Sequence, residues 1–181
     1  MAASTGSLRV LITAAALQAR VRELGREISL HYGDRVPVLV GVLKGAVVFL
    51  ADLMRAVDVA VECDFIALSS YGAASRSSGI VKLTADLSAS VEGRDVLIVE
   101  DIVDTGRTLA YLQRNLETRQ PRSVRICALL DKVSRRAVPV TIHHVGFPIP
   151  DEFVVGYGLD HAGRYRNLPH IAVLDLAANG E

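Results

Sequence analysis

The feature that most limits what this chain can become is the spacing of its apolar runs. Short β-branched stretches, apolar at nearly every position, alternate with longer stretches of helical periodicity. RVLIT (9–13) precedes a helix expected over about Ala14 to Tyr32, and VPVLVGVL (36–43) precedes another over about Gly45 to Arg55. Then come ECDFIAL (62–68), IVKLTAD (80–86), DVLIVE (95–100), a helix from about Thr108 to Thr118, VRICALL (124–130), VTIHHVGF (140–147) and IAVLDL (171–176). A strand that is apolar throughout, and not at every second residue, is buried on both faces, which calls for helices on both sides. The expectation is therefore an α/β fold whose central, mainly parallel sheet is flanked by helices. Thr13 stands where the first helix needs a cap, and Gly33 where it ends.

With 181 residues, half of them apolar, the chain has the size of one compact domain with a real core. Twenty acidic residues balance twenty basic ones, so no overall positive field draws it to nucleic acid or to an anionic membrane. Any anion it binds is held by a local site. Cys63 and Cys127 lie in apolar runs without a CxxC or a nearby His, which predicts two buried free thiols and neither a disulfide nor a zinc site. The opening MAASTGSL has no basic-then-apolar pattern, and no apolar stretch approaches the ~20 residues that span a bilayer. No membrane is expected, and a reducing cytoplasm fits.

Chemistry concentrates in VLIVEDIVDTGRTL (96–109). Ligands of an open parallel sheet sit beyond the carboxyl ends of its strands, and this segment brings Glu100, Asp101 and Asp104 to that edge. Thr105, Gly106, Arg107 and Thr108 then open a helix, aiming free N–H groups and hydroxyls at one point, a cradle suited to a phosphate monoester. Adjacent carboxylates next to a bound phosphate repel it unless something positive or hydroxyl-rich lies between; a ribose with magnesium meets that need. Asp104 is placed either to accept a proton or simply to cap the helix. Lys44, in Leu43-Lys44-Gly45, is either a surface lysine in a turn or a cation offered to the same edge. SSYGAASRSSG (69–79) reads as a solvated hairpin loop or as a mobile flap over a site.

VLIVEDIVDTGRTL resembles the phosphoribosyl pyrophosphate motif of the type I phosphoribosyltransferases, most closely their hypoxanthine/guanine branch. The likeness extends through LKG (43–45), SSYG (69–72), LLDK (129–132) and PDEFVVGYGLDHAGRYRNLPHIAVLD (150–175), covering about Val36 to Asp175. It implies a single domain over 1–181, with a flap at about 69–86 and a small hood from about 148–181 together with the N-terminal region. The implied reaction joins phosphoribosyl pyrophosphate to hypoxanthine or guanine, giving IMP or GMP and pyrophosphate, with Mg2+ as cofactor and a homodimer or homotetramer as assembly.

The resemblance also assigns residues. Glu100 and Asp101 face the ribose hydroxyls and their magnesium, Thr105 to Thr108 grip the 5'-phosphate, and Asp104 accepts the purine ring proton. Lys44, Gly45 and Arg166 hold pyrophosphate, the lysine often following a cis peptide; Ser70 and Tyr71 belong to the flap. Lys132 contacts the purine 6-oxygen, which, since lysine only donates, favours a 6-oxo base over a 6-amino one. Phe153 stacks on the base, the Val154 backbone pairs with its edge, and Asp160 holds a second magnesium. Gly158 stands where several relatives have Ala and His161 where an aromatic is frequent, neither change being expected to touch an implied ligand. Two rivals remain open: an RNA-binding regulator on the same fold, which electroneutrality, Lys132 and Phe153 disfavour, and a relative acting on adenine, uracil or orotate.

Overall fold

A computed structural model describes residues 7–70 and 81–175. In chain order the elements are β1 (Ser7–Ile12), α1 (Ala14–Tyr32), β2 (Val38–Leu43), α2 (Val47–Ala56), β3 (Glu62–Ser70), β4 (Val81–Ala85) and β5 (Asp95–Val103). They continue with α3 (Arg107–Glu117), β6 (Ser123–Asp131), a short 3-10 turn (Val133–Arg135), β7 (His144–Pro148), β8 (Val154–Val155) and β9 (Ile171–Asp175). The six-stranded sheet has the order β4-β3-β2-β5-β6-β7, parallel except for β4, which pairs antiparallel with β3. The expected α/β class with a mainly parallel sheet is what forms.

The reason lies in β5. Leu97 and Val99 point into the core beneath α1 and α2, whereas Val96 and Ile98 point into the core beneath α3. All four are fully buried, and each contributes on the order of 1.5–3 kcal/mol by leaving water. A strand that buries both faces lies in the middle of the sheet, and β5 is flanked by β2 and β6. The first helix follows its sequence signals: the Thr13 hydroxyl accepts the Ala16 N–H at 3.2 Å, and Gly33, at φ 56°, donates to Ser29 O at 2.9 Å.

Three details depart from expectation. RVLIT and IAVLDL do not join the parallel sheet; β9 pairs antiparallel with β1 on one side and β8 on the other in a separate three-stranded sheet. β1 is exposed along most of its length, so its apolar residues do not carry the two-sided burial the run suggested. The run at 140–147 becomes strand only from His144: the His143 ring accepts the Ile126 N–H at 3.1 Å, and Val140 and Ile142 turn onto the α3-side core. Cys63 is exposed, contrary to the expected burial, beside a polar cleft bordered by Glu62, Asp64, Ser88 and Arg94; Cys127 is buried, and both are free.

Candidate active site

The site grows from the carboxyl end of β5. Glu100 closes the unbroken run of buried positions in the strand, and its Oε2 meets no hydrogen-bond partner among the described residues. Burial, reinforced by the neighbouring Asp101 charge, pushes its carboxyl well above the usual range. Asp101 is pushed up to about 6, chiefly by burial; its Oδ1 accepts the Ile102 N–H at 2.8 Å, and the nearby Arg166 charge opposes the shift while Asp160 adds to it. Two adjacent carboxyls short of partners form a place that asks for a cation or for hydroxyl donors.

Beyond them the chain turns into α3. Gly106 takes the left-handed conformation, φ 82°, and no side chain caps the helix. This is the reverse of α1, whose Ala16 amide is satisfied by the Thr13 hydroxyl. The N-terminal amides of α3 are thus free to meet an anion. Glu100, Ile102, Val103, Asp104, Thr105, Gly106, Thr108 and Leu109 line a cavity of about 90 Å³ at this point. Arg107 is exposed, and its own amide lies 3.5 Å from the Thr105 hydroxyl.

On the other side stands the β2–α2 loop, with a cis peptide between Leu43 and Lys44. A Cβ on Gly45 would fall 1.6 Å from Asp101 Oδ2, so only glycine allows the loop to lie against that carboxylate. Lys44 is exposed there. Gly158, at φ 102°, presses from the opposite direction: a Cβ on it would lie 2.1 Å from Gly45 O. Its carbonyl accepts Arg166 Nη1 at 2.6 Å, and Arg166 Nη2 pairs with Asp160 Oδ1 at 2.6 Å. Asp101, Lys44-Gly45, Gly158, Arg166 and Asp160 therefore converge. Gly158 is not the bystander the sequence suggested, because it touches both Gly45 and Arg166.

A third group gathers around β6. The Lys132 N–H donates to Val103 O at 2.9 Å, placing the mostly buried lysine beside the end of β5. Its Nζ lies 3.5 Å from Asp151 Oδ1. Arg135 bridges onward, with Nε donating to Asp104 Oδ1 at 3.1 Å and Nη1 at 3.6 Å from Asp151 Oδ2. Phe153, 45% exposed, meets His161 edge to face at 5.4 Å, so His161 too touches a residue expected to bind ligand. Val154 is buried in β8. Asp151 and Arg135 went unnoticed in the sequence; their only signal was an unbalanced DKVSRR turn facing a PDE turn. Ser70 ends β3, and Tyr71 lies outside the described residues. Among the described residues no three metal-ligating side chains stand together, so Glu100, Asp101 and Asp160 do not form one closed cage.

An open α/β sheet whose central strand runs into two adjacent buried acids and an uncapped helix start defines a protein that handles a phosphorylated, hydroxyl-rich ligand. Residues 12–162 match the phosphoribosyl transferase domain, and the chain belongs to that family. It is 52% identical to the hypoxanthine-guanine phosphoribosyltransferase of Bacillus subtilis, over 93% of this chain and 94% of that one. It is 54% identical to the bifunctional protein TilS/HprT of Listeria monocytogenes over 92% of its own length, but spans only 26% of that longer protein. The crystal structure of a hypoxanthine phosphoribosyltransferase from Staphylococcus aureus superposes with a TM-score of 0.90 at 42% identity, covering 96% of this chain and 94% of that one. Among the described residues, no helix is long and apolar enough to cross a membrane.

Proposed function

We propose that this protein transfers the 5-phosphoribosyl group of phosphoribosyl pyrophosphate to hypoxanthine or guanine, giving IMP or GMP and pyrophosphate. The observation that carries the reading is the pairing, at one strand end, of two adjacent acids, one with an unpartnered buried oxygen, with an open helix start. It supports a ligand that is a phosphate ester at one end and a diol at the other. The amides and hydroxyls of Thr105 to Thr108 hold the 5'-phosphate, and Glu100 and Asp101 take the ribose hydroxyls. Lys44, the Gly45 backbone and Arg166 hold pyrophosphate. Two anchored phosphate groups then fix the sugar between them, which orients the bond to be broken.

On the base side Lys132 donates to the 6-oxygen, Phe153 covers the ring, and the Val154 backbone meets its edge. Asp104 gives up Arg135 and accepts the ring N–H proton as the purine nitrogen attacks the sugar. Hard oxygen donors, with Glu100 Oε2 unpartnered, fit magnesium: Glu100 and Asp101 would hold one ion and Asp160 a second, each completed by substrate oxygens. When bound, the ion neutralises charge on the departing pyrophosphate.

The chain is read as one domain in which β1, β8 and β9 form a hood and the segment between β3 and β4, with Ser70 and Tyr71, closes as a flap to keep water from the reacting sugar. A homodimer or homotetramer in the cytoplasm completes the proposal. Initial rates with hypoxanthine, guanine and adenine, with magnesium and with a chelator, test it. IMP and GMP should form, adenine should react about 100-fold more slowly or worse, and chelation should stop turnover. Absence of both IMP and GMP with magnesium present overturns the reading.

A further inference from the structure

We infer that Arg136 is a positioning residue for the 5'-phosphate: its guanidinium, paired with Asp131 and set directly behind Gly106, fixes the Thr105 to Thr108 loop and places positive charge beneath its amides. The inference rests on the reading of that loop as the 5'-phosphate cradle and adds to it a residue outside the motif.

The two arginines of the DKVSRR turn face opposite ways. Arg135 is exposed and reaches toward Asp104 and Asp151. Arg136 folds inward, where Nη2 forms an ion pair with Asp131, the buried last residue of β6. Its Nη1 is also buried and meets no hydrogen-bond partner among the described residues. A buried cationic N–H without an acceptor is costly and is seldom retained unless it serves something.

What lies against that guanidinium is the loop. A Cβ on Gly106 would stand 3.1 Å from Arg136 Cδ, 3.2 Å from Arg136 Nη1 and 2.8 Å from Val138 O. Glycine is thus required at 106 for its φ of 82° and because a side chain there would collide with this floor. The residues following Arg136 lace the same loop down: the Ala137 and Val138 N–H groups both donate to Thr105 O, at 3.0 and 3.1 Å. Loop conformation and charge beneath it therefore depend on one short segment. A cation held in a low-dielectric setting behind amides that already point at an anion strengthens their hold on a phosphate.

Lining up the loop for a phosphate predicts an effect confined to ligands that carry one. The test is the affinity ratio of IMP to inosine, which reports the contribution of the 5'-phosphate. It is measured by calorimetry on the unmodified protein, Arg136→Lys, Arg136→Met and the double variant Asp131→Asn/Arg136→Met. The double variant guards against misfolding, because Arg136→Met alone leaves Asp131 buried and unpaired. In both methionine variants IMP should bind about ten- to a hundredfold more weakly, the loss of a charge-assisted contact. Inosine affinity and the KM for hypoxanthine should be unchanged, and the KM for phosphoribosyl pyrophosphate should rise far more than kcat falls. Arg136→Lys, which keeps the charge, should recover part of the loss.

A folded double variant with the unmodified IMP to inosine ratio, or one in which both ligands weaken equally, overturns the role of Arg136. If the unmodified protein itself binds inosine as tightly as IMP, the phosphate reading of Thr105 to Thr108 fails first, and the inference falls with it.

Discussion

Near the amino end of β5, Asp95 is 2% exposed, and its carboxylate takes the Ser123 hydroxyl at 2.6 Å, Arg35 at 3.2 Å and Arg122 at 3.3 Å. At the other end of the same strand Glu100 is also buried, but one of its oxygens meets nothing among the described residues and its neighbour is another acid. The two ends teach different lessons. Asp95 serves the fold, tying the α1–β2 connection, β5 and the start of β6 together with its charge answered by two arginines. The Glu100-Asp101 pair works against the fold: a buried carboxylate oxygen without a partner is tolerated where the missing partner is a ligand. The helices repeat the contrast, since α1 is capped by Thr13 while α3 opens bare toward the same site.

Perturbing each end should break or sharpen that contrast. The largest effect is expected just beyond the carboxyl end: Asp104→Asn should lower kcat by about 10²–10⁴-fold, the range for losing a positioned general base. Binding of phosphoribosyl pyrophosphate should hardly move, since the amide keeps the shape and loses only the ability to take a proton. Steady-state rates beside direct binding measurements separate the two, and full turnover in the variant removes Asp104 from the chemistry.

At the amino end the expectation is inverted. Asp95→Ala should cost about 2–3 kcal/mol of stability, as for hydrogen bonds to charged groups, read from urea midpoints. Turnover of the folded fraction should be preserved. Arg35 and Arg122 reach solvent and are not left trapped as unpaired charges, which keeps the cost from being larger.

Asp101→Asn should behave in the opposite sense, more stable and less active. A carboxyl raised to about 6 in the folded chain stabilises fully only below its unfolded value near 3.8, and that contribution is lost as pH rises through 6. Removing the charge should therefore raise the melting midpoint at pH 8 by a few degrees, about 1–2 kcal/mol. The gain should vanish only near pH 3, below the unfolded value of 3.8, where the native acid is protonated in both states. A midpoint that falls at pH 8 would mean that the Ile102 N–H and the Arg166 charge outweigh burial at Asp101.

The smallest effect belongs to the histidines at and near the end of α1. His31, His143 and His144 are all shifted below 6.5, in each case chiefly by burial, with Glu27 partly opposing this for His144. A base depressed in the folded state contributes stability above its unfolded value and loses it as pH falls below 6.5. Melting midpoints should decline gently from pH 7 to 5, by less than about 1 kcal/mol per histidine, and His144→Gln should flatten part of that slope.

Much of the site was legible because it is local. VLIVEDIVDTGRTL writes strand, acids, tight turn and helix start in consecutive residues, and each piece follows from near-neighbour physics: two-sided apolar burial, a glycine with positive φ, and free amides in the first turn. The hydrophobic runs likewise announced an α/β sheet before any contact was known. They could not tell that β1 and β9 leave that sheet, because an apolar run reports how much a strand can bury and not which neighbour it meets.

The remaining contacts join segments far apart in the chain. Gly158 against Gly45, Arg135 between Asp104 and Asp151, and Arg136 behind Gly106 each depend on where crossovers return the backbone. The exposure of Cys63, the strand start at His144 and the missing partner of Glu100 are decided in the same way. Sequence alone determined the class of fold and the order of acids, tight turn and helix start at the end of β5, since periodicity and chain neighbours carry both. Tertiary structure decided which charges are answered and which are left open, because a buried group's free energy depends on everything that packs around it.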